Sequence, residues 1–140
     1  VLKSLGAEHA MIVHSDDGLD EISIAAGTGV TELHHGNIDS YHINPEDFSL
    51  ERQSLEGLSV DGAAASAQLI RAALSGAADT NARKAADIIA LNAGATIYVS
   101  GVAATLADGV AMAEDALASG LAAQKLDEFI SFTQLMREES

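Results

Sequence analysis

The sequence contains no cysteine, which excludes disulfide bonds and thiolate metal ligands. Aromatic residues make up only 4% of the chain and tryptophan is absent, so no platform for stacking nucleic-acid bases is evident. No apolar run is long enough to cross a bilayer, and no signal peptide is visible. We therefore expect a soluble intracellular protein.

Basic residues are also scarce in this chain. Seven Lys and Arg stand against 21 Asp and Glu, which gives a formal net charge of -14. Such a charge opposes direct binding to nucleic acid or to an anionic membrane surface. A phosphate-bearing ligand would need a metal ion as a bridge.

The length of 140 residues fits one domain, and the sequence shows neither an internal repeat nor a second domain. The opening segment has the character of a helix's last turn, because Lys3 suits the carbonyl end of a helix and Gly6 suits a left-handed cap. No helix precedes this segment in the sequence, so we expect a truncated chain.

The first third of the chain predicts strands. His9–Val13 is apolar almost throughout, which is typical of a strand buried on both faces of a parallel sheet, and Ile22–Ile24 predicts the start of another strand. The pattern of Gly29–Ile43 predicts an antiparallel hairpin that turns at His35–Asn37. Asn44–Asp47 then offers a cap, a proline and acidic residues for a short helix or turn.

Helical patterns follow a connecting loop over residues 49–60. The predicted helices run from the cap Asp61 to Ser75, from Thr80 or Asn81 to Ser100, along the apolar stripe Leu106 to Leu121, and onward to Arg137-Glu138-Glu139. The second helix is apolar around much of its circumference, so it should be the most buried. The chain therefore predicts an α/β fold, with three to four helices packed on a partly parallel mixed sheet that contains the antiparallel hairpin.

Four carboxylates lie between the first two apolar runs. They are Asp16, Asp17, Asp20 and Glu21. Gly18 can adopt a positive φ and so supply the bend that adjacent acids need to approach one ion. Oxygen ligands without a His-x-x-x-His pair favour Mg²⁺ over zinc. A calcium loop is excluded, because that motif would place Val13 and Ile24 at ligand positions. A solvated acidic turn explains the composition equally well.

Two other segments could bind a ligand. Gly27-Thr28-Gly29 resembles the start of a phosphate-binding loop, but no helix N-terminus follows it, which favours a turn between strands. Asn92 lies in the most apolar helix, where its amide either faces a ligand or hydrogen-bonds a nearby backbone group. The backbone interpretation is the more ordinary of the two.

The five histidines give no clear metal-binding spacing. His34 and His35 are neighbours beside the hairpin turn, where a solvated turn is the ordinary explanation and a pair of ligands is the alternative. His9, His14 and His42 are each isolated in the sequence. We interpret His42 as a strand residue and His14 as a possible supporting neighbour of the acidic loop.

Eight segments carry a family resemblance. They are Val1–Ala7, His9–Ser15, Asp17–Ser23, Thr31–Leu33, Ile43–Phe48, Leu91–Ala95, Tyr98–Gly101 and the stretch from Asp108 to Gly120. In this order they closely resemble anthranilate phosphoribosyltransferase, and the resemblance extends over nearly the whole chain. It implies that residues 1–140 are the C-terminal part of the α/β domain that is found in nucleoside phosphorylases and phosphoribosyltransferases.

The resemblance implies transfer of phosphoribose from phosphoribosyl pyrophosphate to the amine of anthranilate, a step of tryptophan synthesis in the cytoplasm. Mg²⁺ neutralises the pyrophosphate in that family, and the adjacent acids of a Gly-Leu-Asp-Glu motif bind it. This implies that Asp20 and Glu21 are the metal ligands of this chain, while no residue here is implied to be a nucleophile.

The resemblance also implies that other parts of the enzyme lie upstream of Val1. These are the phosphate loop, the groups that contact anthranilate, and the helical domain that forms most of the homodimer interface. We therefore expect this fragment to be inactive alone and to self-associate through exposed apolar surface. A non-catalytic binding or assembly module of the same fold, and a related phosphorylase, are the alternatives.

Overall fold

The computed structural model describes residues 1–138 as three strands followed by four helices. They are β1 (His9–Ser15), β2 (Thr28–His34), β3 (Asn37–Ile43), α1 (Gly62–Leu74), α2 (Thr80–Val99), α3 (Leu106–Ala118) and α4 (Leu121–Glu138). The α/β class and the four helices confirm the prediction. The last acid of the predicted C-terminal helix, Glu139, lies outside the described residues.

The described strands form one antiparallel sheet in the order β1-β2-β3. β1 pairs with β2 so that His9 lies opposite His34 and Ser15 lies opposite Thr28. The predicted hairpin between β2 and β3 is confirmed, and its turn contains His35 and Gly36, both with positive φ. The expected parallel arrangement is wrong for these strands, because residues 16–27 return the chain as a loop rather than as a crossover helix, so β2 pairs antiparallel with β1.

Two local details of β1 and its neighbours differ from the sequence prediction. One face of β1 is packed and the other is open, so Ile12 is 58% exposed where burial on both faces was expected. Residues Ile22–Ile24 do not form a strand, although all three are buried. Their backbone instead forms hydrogen bonds outside any strand. The Ser23 N–H donates to the side-chain Oγ1 of Thr28, and the Ile24 carbonyl accepts the N–H of Gln53 in the connecting loop.

Both predicted short turns are present. Lys3–Leu5 is a single 3₁₀ turn that ends at Gly6, whose φ of 88° is the predicted left-handed cap. Pro45–Phe48 is a second 3₁₀ turn, and Asn44 caps it through reciprocal hydrogen bonds with Asp47. These local features follow directly from their residues, because each needs only neighbours in the sequence.

The core lies where the sheet meets α2 and α3. It consists of Ile22, Ile24, Val30, Ile43, Leu91 and Val110. α2 has the largest number of buried residues among the described helices, as predicted. It approaches α3 closely at Gly94, where a Cβ atom would lie 2.6 Å from the Cα of Val110. This close crossing packs α2 directly against α3.

The helix α4 is the most exposed of the four. None of its described residues is buried, and Phe129, Phe132 and Leu135 are each about three-fifths exposed. The expectation that such surface promotes self-association stays a prediction. Within residues 1–138, no helix combines the length and the apolar character that a bilayer crossing requires.

Candidate metal centre

The acidic loop, defined here as Asp16–Glu21, connects β1 to the buried segment Ile22–Ile24. It begins with a tight turn in which the Gly18 N–H donates to the Ser15 carbonyl and the Ser15 N–H donates to the Leu19 carbonyl. Gly18 has a φ of 93°, so it supplies the predicted bend. The base of the loop is closed by the Asp16 N–H, which donates to the Gly27 carbonyl at 2.9 Å.

The first two acids of the loop are engaged by the protein itself. Asp17 accepts hydrogen bonds from the Leu19 N–H at 3.1 Å and from the Ser23 hydroxyl at 2.6 Å. Partial loss of hydration raises the pKa of Asp17, but the hydrogen bonds outweigh this effect and hold the pKa below its ordinary value. Asp16 lies 3.0 Å from the Nε2 atom of His42. These two carboxylates therefore shape the loop.

The second two acids, Asp20 and Glu21, are both exposed. Neither carboxylate has a hydrogen bond or an ion pair with any residue in the range 1–138. Their oxygens are therefore available to a ligand from outside the chain. Mg²⁺ is commonly held by one or two carboxylates together with water and substrate phosphates, so this donor pair fits that ion.

Asn92 of α2 fixes the backbone beside these acids. Its Oδ1 accepts the Ile22 N–H at 2.9 Å, and its Nδ2 donates to the Ile22 carbonyl at 2.9 Å and to the Ile88 carbonyl at 3.0 Å. Of the two interpretations of Asn92, the structure shows backbone hydrogen bonding. Because Ile22 directly follows Glu21, this amide ties the exposed acids to the most buried helix.

A groove of about 660 Å³ runs between β1 and α2. Glu21 lines it together with Met11, Val13, Asn92 and Thr96. Its lining is mostly apolar apart from a few polar groups, which is the usual character of a small-molecule site. The exposed acid Glu21 therefore contributes to both the acidic loop and the groove.

The Gly27-Thr28-Gly29 segment does not form a loop that holds phosphate. Thr28 and Gly29 are the first residues of β2, and they pair with Ser15 and His14. A Cβ atom on Gly27 would lie 2.5 Å from the Nε2 atom of His42, so glycine here permits the imidazole to approach. The interpretation as a turn leading into a strand is the one that the structure supports.

The histidines are less isolated than their positions in the sequence indicate. His42 is a strand residue, as predicted, and contacts Asp16. His14 is exposed on β1. His9 lies 2.7 Å from Glu32, and its ring stacks on that of His34 with centroids 4.0 Å apart. The cluster could have been found from the sequence only once the register of β1 and β2 was known.

Glu32 is the centre of this second polar cluster. Its Oε2 accepts the Tyr41 hydroxyl at 2.7 Å, and its Oε1 contacts His9. Burial raises the pKa of Glu32, but the hydrogen bonds outweigh burial and hold the pKa below its ordinary value. Burial and the same carboxylate raise the pKa of Tyr41 well above its usual range. The carboxylate of Glu32 is therefore ionised and oriented.

Comparison with known proteins identifies the family of the chain. The sequence profile of the "Glycosyl transferase family, a/b domain" matches residues 1–123. The chain belongs to this family. Among its relatives, the anthranilate phosphoribosyltransferase of Saccharophagus degradans is 56% identical over 135 residues, which is 96% of this chain and 40% of the relative.

Solved structures of similar proteins agree with the family assignment. The crystal structure of anthranilate phosphoribosyltransferase from Thermus thermophilus matches with a TM-score of 0.81 and 34% identity, over 95% of this chain and 38% of that protein. The Saccharomyces cerevisiae enzyme in complex with PRPP and Mg matches with a TM-score of 0.71 and 27% identity, over 86% of this chain and 34% of that protein.

These matches confirm the resemblance seen in the sequence and the fold that it implied. The chain spans about 40% of the length of the relatives that it matches. The members of this glycosyl transferase family are transferases, and the chain resembles one part of them.

Proposed function

We propose that the chain is the C-terminal part of the α/β domain of an anthranilate phosphoribosyltransferase, and that Asp20 and Glu21 hold Mg²⁺ in it. The proposal rests on a difference between the two pairs of acids in the acidic loop. Asp16 and Asp17 are engaged by protein groups, whereas the two acids that the family resemblance singles out have no partner among residues 1–138.

The electrostatics of the chain support a bound cation. A pyrophosphate group would be repelled by a protein of net charge -14 and most strongly by exposed carboxylates such as Asp20 and Glu21. Asp20 and Glu21 would hold the ion, and Mg²⁺ held there would neutralise negative charge that the leaving group gains as the glycosidic bond breaks. Two exposed carboxylates leave room for the phosphate oxygens that complete its coordination.

The protein's own contribution is to hold these acids in place. Asn92 fixes the backbone of Ile22, and the buried side chains of Ile22 and Ile24 anchor the end of the loop in the core. Asp17 holds the turn through Leu19 and Ser23. No side chain of this chain is needed as a nucleophile, because the amine of anthranilate attacks the ribose carbon of phosphoribosyl pyrophosphate.

A chimera tests the proposal in the context of a complete enzyme. The matching 135 residues of the Saccharophagus degradans enzyme would be replaced by this chain, and turnover would be followed through the consumption of anthranilate. We expect Mg²⁺-dependent activity from the chimera. A folded chimera without activity, next to an active parent enzyme prepared in parallel, would contradict the proposal and favour a binding or assembly module.

We also propose that the isolated chain is inactive and that the complete enzyme is a cytoplasmic homodimer. The chain matches only about 40% of its relatives, and the groups that hold both substrates are expected in the remainder. The same assay on the isolated chain, at saturating substrates and Mg²⁺, measures the first claim. Measurable product from the isolated chain would show that this part is sufficient.

A further inference from the structure

A second cluster of potential metal ligands lies at the opposite end of β1 from the acidic loop. His9 begins β1, and His34, its direct partner in the register, ends β2. Glu32 is two residues before His34, so its side chain is on the same face of the sheet. Within residues 1–138, this is the one set of three His or carboxylate side chains whose ligand atoms all lie within 4.8 Å of one another.

The arrangement of these three residues on the strands favours chelation. Residues i and i+2 of one strand together with the facing residue of its antiparallel neighbour place three side chains over one patch of sheet. The ligand atoms all lie within 4.8 Å of one another, and the Nε2 atom of His9 is already 2.7 Å from Glu32, so small rotations of the imidazoles would arrange the three ligands around one ion. Such rotations are open to His34, because its ring makes stacking contacts but no hydrogen bond to any described residue.

The donor set and its surroundings select a class of ion. Two imidazoles and one carboxylate suit Zn²⁺ and similar transition metals, whereas Mg²⁺ prefers sites of oxygen alone. The side chains of His9 and Glu32 are only 12% and 11% exposed, so the site is sheltered from solvent. Tyr41 donates its hydroxyl to the Glu32 oxygen that faces away from His9, which is the kind of outer contact that orients a ligating carboxylate.

We infer that His9, Glu32 and His34 form a binding site for Zn²⁺ or a similar divalent transition metal. The ion would join β1 to β2 beside α2, whose Tyr98 contacts the edge of the His9 ring at a centroid distance of 4.8 Å. Three protein ligands leave one position of a tetrahedral ion for water or another ligand. This site uses none of the acids of the acidic loop, so the inference does not depend on the proposed function.

Titration of the metal-free 140-residue chain with Co²⁺ tests the inference, because four-coordinate Co²⁺ absorbs visible light and Zn²⁺ then displaces it. We expect one ion per chain, micromolar or tighter affinity, and an absorption band that disappears on addition of Zn²⁺. Absence of saturable binding, or a spectrum of six-coordinate Co²⁺ only, would overturn the inference.

Variants locate the ion. His34→Ala should lower the affinity more than about tenfold, and Tyr41→Phe should lower it about tenfold through loss of its outer contact. The matched control is His14→Ala, because His14 is an exposed histidine of the same strand that points to the other face. Affinity that is unchanged in His34→Ala, or lost equally in His14→Ala, would show nonspecific binding and overturn the inference.

Two further variants guard against misinterpretation. Glu32→Gln keeps the size of the side chain while removing its charge, so it should weaken binding even if His9→Ala fails to fold. His35→Ala removes the histidine that stacks on His34 with centroids 3.9 Å apart, and it should leave the affinity within about twofold. Binding that depends on His35 but not on Glu32 would place the ion on the exposed turn and contradict the site.

Discussion

The acidic loop contains two pairs of acids that look alike in the sequence and behave differently in the structure. Asp16 and Asp17 accept hydrogen bonds or contact an imidazole, while Asp20 and Glu21 bond to no described residue. The first pair determines the shape of the loop. The second pair is the one that we propose to hold Mg²⁺, so the density of charge alone does not select the proposed site.

The end of the loop behaves differently again, although it is adjacent to the exposed pair. Two and three residues after Glu21, at Ser23 and Ile24, the chain is completely buried, and the intervening Ile22 is held by Asn92. Exposed acids on a fixed backbone are a preorganised arrangement, because little ordering is needed when a ligand arrives. Mutations on the buried side of this boundary should therefore mainly lower stability, whereas mutations of the exposed acids should mainly impair function.

The largest effect on stability is expected at Ile24, which is fully buried. Ile24→Ala should lower the free energy of unfolding by about 2–5 kcal/mol, because it removes core contacts and leaves a cavity. Asp20→Ala, four residues earlier, should change it by no more than about 0.5 kcal/mol. Urea denaturation measures both; similar costs for the two variants would mean that the exposed and buried sides of the loop are not distinct.

The next largest effect is expected at Asn92. Asn92→Ala leaves the Ile22 N–H and carbonyl without their side-chain partner, which should cost about 1–3 kcal/mol of stability. In the chimera it should also raise the Mg²⁺ concentration needed for half-maximal activity. The control is Thr96→Ala, one turn later on α2, where an exposed hydroxyl bonds only the helix backbone. Equal effects of Asn92→Ala and Thr96→Ala would contradict the proposed role of the Asn92 amide.

A smaller, pH-dependent effect is expected at Ser23, whose hydroxyl donates to Asp17. Ser23→Ala should cost about 1 kcal/mol at neutral pH, since Asp17 is exposed and its hydrogen bond is partly screened. Because the folded pKa of Asp17 is lowered, its stabilisation is present above the ordinary value of 3.8 and is lost as the pH falls through the folded pKa. The Ser23 hydroxyl also accepts the Ala25 N–H at 2.9 Å, so below that pH the difference between variant and wild type should narrow to the part due to this second hydrogen bond. A difference that does not change with pH would contradict the assignment to Asp17.

The smallest effect is expected at Glu114, a carboxylate that has unfavourable neighbours. Burial and the nearby charges of Asp87 and Asp115 raise its pKa, so its ionised form destabilises the folded state. Glu114→Gln should therefore increase stability, by less than about 0.5 kcal/mol, at neutral pH. The gain should disappear below the ordinary pKa of 4.5, where Glu114 is protonated in both states. A gain that persists at acidic pH would point to a cause other than charge.

Local signals in the sequence were sufficient for much of the fold. Caps and glycines predicted the helix ends to within a few residues, and Gly18 predicted the bend of the acidic loop. The parallel sheet was wrong because an apolar run indicates that a strand is buried but not the direction of its partner. The prediction of a strand at Ile22–Ile24 was wrong because its backbone bonds a loop residue and side chains rather than another strand, and one of these side chains, Asn92, is 70 residues from Ile22.

The two polar sites differ in how visible they are in the sequence. The acidic loop is contiguous, so its acids can be listed from the sequence, but their division into engaged and unengaged pairs needs coordinates. The cluster of His9, Glu32 and His34 depends on the register of two strands, and residues 23 apart give no local sign that they meet. Sequence patterns of short range find the first kind of site and miss the second.

The most direct test of the central claim is the Mg²⁺ dependence of the chimera carrying one pair of changes at a time. Asp20→Asn with Glu21→Gln should raise the Mg²⁺ requirement by more than about tenfold or abolish turnover, because loss of a ligand costs at least as much as loss of an outer contact. Asp16→Asn with Asp17→Asn keeps oxygen acceptors for the loop and should leave the requirement within about twofold. Equal responses of the two pairs, or a larger response of the second, would contradict the account.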